Sequence, residues 1–432
     1  MLESLGIHYE PDILTIIGLI IAVAFLGSKV FQRFGIPQVV GYIVTGTLLG
    51  SSFLNVVPLE IADELTFISE IALGLIGFNI GSHLLFSELR SLGRSIAFIL
   101  LFEAFGAFAL VTAGVYAVTQ NWATALIFGA ISSATAPAAT VEVLAEYDAK
   151  GPLTTSLLAV IGADDALALV LFSIAASLAE FFLTGTGMPS LVQVLELPLI
   201  EIGGSVVLGI TMGWLLDFIM FRMKKHHDAM AVSIGFVFLC VGLSQSLGFS
   251  LILTTMVMGS TVVNRHKSNG LHIRFTIEQA GPVIYVLFFA LVGAHLQIDL
   301  LPSMGILGIA YVVLRSLGKF GGAWLGGTLG RAAPVVRNNL GFGLLTQGGV
   351  AIGLALAASN RFSAYGAAGE SLGQLVLNVI TATTFVVEII GPISVKFAIG
   401  RAGEIGRAKL EHDAWMSEGT SEKYQAKLSD KH

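Results

Sequence analysis

Apolar runs of roughly 20 residues recur along the chain, parted by short polar stretches. About 20 mainly apolar residues are what a helix needs to cross the hydrocarbon core of a bilayer. Windows of that length predict helices near 12–32, 37–57, 62–82, 94–119, 122–146, 153–183, 192–222, 228–247, 249–264, 278–298, 303–330, 337–358 and 372–399. The fold class expected is an all-α integral membrane protein with thirteen transmembrane helices. The narrowest division is between 228–247 and 249–264, where only Ser246-Leu247-Gly248-Phe249 marks a turn, and merging that pair would reverse everything downstream. The first run, Asp12 to Phe31, follows acidic residues and lacks a small-residue cleavage site, so it reads as a retained helix and not a signal peptide.

Basic residues test the count independently, because Lys and Arg gather on cytoplasmic loops. Lys29 and Arg33, Arg90 and Arg94, Lys150, Arg222 with Lys224 and Lys225, Arg265 with Lys267 and Arg274, Arg331 and Arg337, and the tail all fall on one side. The opposite side holds Arg361. This pattern predicts a multi-pass protein of the cell inner (plasma) membrane, N-terminus outside and C-terminus cytoplasmic. Composition agrees, since 55% of residues are apolar and 12% charged, about half the charge of a soluble domain. Fifty glycines suit helices that pack closely in lipid. The single cysteine, Cys240, forms no internal disulfide and reads as packing. Nothing suggests a nucleic-acid partner, a nucleotide P-loop, a metal cluster or a cofactor.

Thirteen helices divide into two units of six around a linking helix, and a shift of seven helices inverts the second unit, the common plan of secondary transporters. The fifth and twelfth helices each carry an interruption: Thr135-Ala136-Pro137-Ala138-Ala139-Thr140 in one and Thr346-Gln347-Gly348-Gly349 in the other. Pro137 removes a backbone donor, and Gly348 and Gly349 ease unwinding. Non-helical backbone at mid-membrane persists only where it is buried in protein or lines a cavity, and half-helix ends there can coordinate ions. The competing interpretation is a pair of packing kinks.

Ionisable groups inside the membrane are costly, and hence suspects for function. Asp164 and Asp165 sit within Ile161-Gly162-Ala163-Asp164-Asp165-Ala166-Leu167-Ala168-Leu169. Neighbours on a helix point about 100° apart, so one carboxylate can meet a cation while the other meets a fixed positive charge. Lys319 is the candidate for that charge, with Arg315 one turn away and expected to pair structurally with Glu142 or Glu388. A carboxylate that holds either a proton or a hard cation makes the two compete, and alternating access turns competition into exchange. The alternative is a purely structural Asp164–Lys319 pair, with Asp165 near water. Glu70, Glu103 and Glu388 read as structural carboxyls, and His83 and His295 as interfacial side chains.

These motifs resemble those of monovalent cation/proton antiporter family 2, which includes NapA-like sodium/proton antiporters and Kef-like potassium/proton exchangers. The strongest block is Ser132-Ser133-Ala134-Thr135-Ala136-Pro137-Ala138-Ala139-Thr140 followed by Gly162-Ala163-Asp164-Asp165. Supporting it are Phe288-Phe289-Ala290-Leu291-Val292-Gly293, the Lys319 helix and Gln347-Gly348-Gly349-Val350-Ala351. The resemblance implies an NhaA-like fold with two crossing discontinuous helices, and a homodimer in which core helices (about 62–183 and 278–399) move like an elevator against dimerisation helices (about 12–57 and 192–264). It also implies that Asp165 binds the ion, that Asp164 pairs with Lys319, and that the Thr135 region supplies oxygens. The chain departs from the pattern at Gly349 and Val350, where relatives often carry glutamate, and its residues after helix 13 do not read as a nucleotide-binding domain of the Kef-like kind. After the unit 1–399, residues 400–432, with Arg407, Lys409, Glu411 and Asp413, read as a short cytoplasmic tail.

The function expected is exchange of Na+ or Li+ for H+, with monovalent cations and protons as substrates and the lipid bilayer as surroundings. Alternatives are K+/H+ exchange, a sodium-coupled organic-anion symporter and a transport-dead membrane sensor.

Overall fold

The computed structural model describes residues 12–185, 190–222, 229–296, 298 and 302–409. Lys224, Lys225, Glu411 and Asp413 lie outside them. The described chain is helical, with no strand beyond an isolated bridge between Gly50 and Val57. Helices α1 (Ile13–Arg33), α2 (Gln38–Leu49), α3 (Leu59–Glu64), α4 (Thr66–Ser82) and α5 (Phe86–Thr119) open the fold. Then come α6 (Trp122–Ser133), α7 (Pro137–Glu146), α8 (Pro152–Thr184), α9 (Leu191–Arg222), α10 (Ala229–Leu247) and α11 (Leu251–Arg265). The chain closes with α12 (Lys267–His295), α13 (Gly305–Leu329), α14 (Pro334–Asn339), α15 (Gly349–Phe362) and α16 (Gly366–Ala402). Nine described stretches are long and apolar enough to cross a membrane, and α2 and α4 are shorter apolar helices. Large apolar side chains remain open to the surroundings, among them Leu14, Phe34, Val192, Leu197 and Ile306, each more than 70% exposed. Such a surface is matched to lipid, not water.

Local chemistry explains several helix ends. Asn121 caps α6 by accepting from the Thr124 N–H at 3.0 Å, and Ser250 caps α11. Gly248, with φ 68°, breaks the chain between α10 and α11, so the narrow division expected there is real. The α2 helix stops at Leu49, short of the expected 57, because residues 50–57 fold into a turn that includes left-handed Asn55. Helices α5 and α12 begin about ten residues before their apolar runs, since hydropathy windows see only the lipid-depth part of a helix that continues into the interface. For the same reason α16 runs three residues past the expected boundary at 399.

The tail start belongs to this framework. Glu404, just past α16, accepts from the backbone N–H groups of Leu153 and Thr154 (both 2.8 Å) and from the Thr154 hydroxyl (2.7 Å), so it caps the N-terminus of α8. Close helix contacts rest on missing side chains. Gly318, Gly322 and Gly326 on α13 lie against the backbone of α5, where a Cβ at Gly322 would meet Glu103 Cα at 2.6 Å.

A crossing of two broken helices holds the candidate site

Between α6 and α7, residues 134–136 belong to no helix, with Ala134 and Ala136 extended, and between the 3-10 turn Leu340–Leu344 and α15, residues 345–348 also belong to no helix. The two breaks meet. The Ala136 N–H donates to the Thr346 carbonyl (3.1 Å), and the Thr346 hydroxyl donates back to the Ala136 carbonyl (2.8 Å). Thr140 Oγ1 lies 3.1 Å from Thr346 Oγ1 and completes the clasp. Pro137 occupies the first position of α7, where its missing N–H costs nothing, so proline defines a restart and not a kink.

Carbonyls freed by the breaks are met by two fully buried cations. Arg315 donates to the carbonyls of Leu345 (2.8 Å), Ala134 (2.8 Å) and Thr346 (3.0 Å). The expected pairing of Arg315 with Glu142 or Glu388 is therefore corrected: the fork binds backbone from both breaks, which otherwise leave buried acceptors unpaired. Glu142 lies half-buried on α7, without an ion pair among the described residues. Lys319 donates to the Ser133 carbonyl, to Thr135 Oγ1 (2.9 Å) and to Asp164 Oδ2 (3.0 Å). Those three acceptors use the three ammonium protons. Thr135 thus turns its oxygen toward the lysine.

A carboxylate that the sequence reads as structural completes the group. Glu103 on α5 places Oε2 2.6 Å from Lys319 Nζ, with both side chains fully buried. This is a close ion-pair contact between two buried side chains. Asp165, 5% exposed, follows on α8 with Oδ1 unpartnered, as is Asp164 Oδ1. Gln347 donates to the Tyr311 hydroxyl (2.6 Å) and leaves its own carbonyl oxygen free.

The N-terminal ends of α7 and α15 face a different charge. A Cβ on Gly348, the residue before α15, would collide with the Glu388 carboxylate and lie 3.2 Å from Ala136 Cβ. Glu388 thus sits against the start of α15, next to the start of α7, with Oε2 unpartnered. Cations occupy the carbonyl ends of the broken helices and a carboxylate the N–H ends, as the helix dipoles favour. Gly348 is needed for this approach, whereas Gly349 faces open space.

Around the crossing, four buried carboxyls (Glu103, Asp164, Asp165 and Glu388) face two buried cations (Arg315 and Lys319). Lys319 contacts Glu103 and Asp164, whereas Asp165 and Glu388 have no cationic partner among the described residues. Residues 19–399 match the family model described as "Sodium/hydrogen exchanger, transmembrane". The chain belongs to the sodium/hydrogen exchanger family. Its membership makes this exchanger a transporter and not an enzyme.

Similar proteins span most of the exchanger. The Na(+)/H(+) antiporter of Enterococcus hirae is 25% identical over 355 residues, 79% of this chain and 88% of that protein. The high-affinity Na(+)/H(+) antiporter NhaS3 of Synechocystis is 24% identical over 409 residues, covering 84% and 85%. The ammonium/H(+) antiporter subunit AmhT of Alkalihalophilus pseudofirmus is 23% identical over 314 residues, covering 72% and 78%. The fold is that of the sodium proton antiporter MjNhaP1 of Methanocaldococcus jannaschii, whose structure at pH 8 aligns with a TM-score of 0.64 at 18% identity over 92% of this chain and 98% of that one. An EM map of the same antiporter gives 0.70 at 17% identity, covering 93% and 97%.

Sequence reasoning brought Asp164 to Lys319 and the two breaks to each other, and both meet in the structure. It missed Glu103 as a partner of Lys319, Tyr311 as a partner of Gln347, and Glu404 as the cap of α8. A signal for the first was present. Gly318, Gly322 and Gly326 recur every fourth residue and mark a seam where α13 approaches another helix closely, and Gly106 lies one turn from Glu103. Histidines stay peripheral: His295 contacts Asp63 at 3.1 Å, and His83 Nδ1 lies 2.9 Å from the Asn79 carbonyl. Glu70 is half-buried on α4.

Proposed function

We propose that the protein is a secondary active antiporter that exchanges Na+ or Li+ for H+ by alternating access, with ion and proton competing for Asp165. The observation that carries this reading is the buried Asp165, its Oδ1 without a hydrogen-bond partner, beside an Asp164 already claimed by Lys319. A buried carboxylate without a fixed counter-charge is costly, and a proton or a small cation each removes that cost. Because both occupy the same oxygens, they exclude one another. Lys319 holds Asp164 in place and keeps it from neutralising its neighbour's ligand.

The wider plan we infer is thirteen crossings in two inverted units of an NhaA-like fold. Helix pairing supports it: α2 packs on α12 as α4 packs on α11, α6 on α8 as α15 on α16, and α5 meets α13. Under exchange of the two units, each of these pairs maps onto another or onto itself. We place the protein in the plasma membrane, N-terminus outside and C-terminus cytoplasmic, as a homodimer whose core carries the crossing past the scaffold helices. Relatives named for sodium and for ammonium support a monovalent cation as substrate. The alternative within the class is K+/H+ exchange.

Purified protein in proteoliposomes, with an imposed pH gradient read by a fluorescent dye, tests the reading. Sodium or lithium should dissipate the gradient, and Asp165→Asn should stop it while the protein stays folded. A response to potassium alone would favour the K+/H+ alternative. Undiminished exchange by Asp165→Asn would overturn the mechanism.

A further inference from the structure

Past Asp165, α8 continues to Thr184 and carries a second polar group at its far end. A cavity of about 410 Å³ lies there, lined by Ser173, Ser177 and Glu180 of α8, Gln193 of α9 and Arg361 of α15, with two apolar residues of α9. At 1.5 Å per residue, Ser173 stands about 12 Å and Glu180 about 22 Å along the axis from Asp165. The cavity is thus remote from the crossing, and it lies between α8 and α15 on one side and α9 on the other.

Its electrostatics centre on one ion pair. Arg361 binds Glu180 through both carboxylate oxygens, at 2.6 Å to Oε1 and 3.0 Å to Oε2, and Arg361 Nη2 lies 3.4 Å from Ser177 Oγ. The Tyr365 hydroxyl donates to Glu180 Oε1 at 2.9 Å. Arg361 is also the basic residue that breaks the one-sided pattern of positive charge. A lone cation on the sparsely basic face calls for a reason, and Glu180 supplies it.

The Ser173 and Ser177 hydroxyls, the Glu180 carboxylate and the Gln193 amide oxygen, which also accepts from Ser190, border a space wide enough for several waters; such oxygens are hard donors suited to an alkali cation with part of its hydration shell. The carboxylate among them is already held by a guanidinium that cannot lose its charge. An arriving cation therefore competes with a tethered one. We propose that this cavity is the cation entry site on the face opposite the basic loops, where Glu180 collects hydrated monovalent cations and Arg361 acts as a built-in competitor that sets their apparent affinity. This inference rests on the exchange reading above.

The test uses wild type, Glu180→Gln and Arg361→Gln in membrane vesicles of both orientations, with sodium titrated on one face at a time. Exposed ion pairs are worth up to about 1 kcal/mol, which sets the expected change at about three- to fivefold. Arg361→Gln should lower the half-saturating sodium on the cavity's face by that factor, and Glu180→Gln should raise it. The opposite face and the maximal rate should stay within about twofold, and raising choline chloride should shrink both shifts. Both variants break the same ion pair, so a purely structural clasp predicts shifts of the same sign. Shifts of like sign, or none, overturn the inference. If a glutamine variant fails to fold, Arg361→Lys, which keeps the charge but loses the two-point grip on Glu180, should still lower half-saturating sodium, and its failure to do so overturns the inference equally. Failure of wild type to exchange any monovalent cation instead overturns the functional reading beneath it.

Discussion

Replacing Lys319 with methionine removes the positive charge that Asp164 and Glu103 share, at nearly constant volume. Both carboxyls are fully buried, with Lys319 Nζ 3.0 Å from one and 2.6 Å from the other. Removing one partner of a buried pair costs about 3–5 kcal/mol, because the remaining charge is left uncompensated. Binding a proton offers an escape. For a carboxyl of ordinary pKa about 4, holding a proton at pH 7 costs three units at 1.36 kcal/mol each, or about 4 kcal/mol. The two estimates agree, so about 4 kcal/mol is the expected loss at neutral pH, smaller in acid and level in alkali, where the carboxyl stays charged. Thermal unfolding of the purified protein in detergent, followed by loss of the monodisperse size-exclusion peak, reads this directly. Lys319→Met should be markedly destabilised at pH 8.5 and approach wild type near pH 5. Adding Glu103→Gln or Asp164→Asn should restore most of the loss. Equal stability of Lys319→Met and wild type at pH 8.5, or no rescue by either neutral partner, would refute the reasoning.

Three further outcomes follow from the geometry. Gly348→Ala pushes a methyl group into the Glu388 carboxylate; overpacking of this kind costs about 1–3 kcal/mol, and Glu388→Ala in the same chain should recover it in the same thermal assay. Glu404→Ala removes the cap of α8 and should cost about 1–2 kcal/mol, with exchange retained, so abolished exchange in a folded variant would contradict the capping role. Burial and the nearby cations Arg274 and Lys150 push the His83 imidazole down to about 3, so it stays neutral through the physiological range. Stability from a depressed histidine is lost on acidification, as the unfolded chain takes up a proton near pH 6.5 that the folded one refuses. His83→Gln should therefore leave the pH profile of exchange unmoved and soften acid unfolding; a displaced exchange profile would count against this.

Much of the fold was legible because lipid simplifies the code. Twenty-residue apolar runs located the long helices, and Pro137 and Gly348 located the breaks, since each alters what the backbone can donate or adopt. The Asp164–Lys319 contact was legible for a related reason: buried charges inside lipid are few, and opposite ones seek each other. Partners that depend on helix packing were hidden. Glu103 reaches Lys319 only because Gly318 and Gly322 let α13 lie against α5, and hydropathy is blind to that approach. Arg315 was misassigned because carboxylates are visible in a sequence, while the backbone carbonyls that bind it become acceptors only once the helices break. Glu404 was read as tail because nothing local ties it to a helix starting about 250 residues earlier.

Equilibrium binding of radioactive sodium to purified protein as a function of pH tests the central claim most directly. If a proton and sodium contend for Asp165, apparent sodium affinity should fall about tenfold per unit of acidification once that group holds its proton, and Asp165→Asn should abolish the pH-dependent component. Sodium binding that ignores pH, or that persists unchanged in Asp165→Asn, would contradict the account.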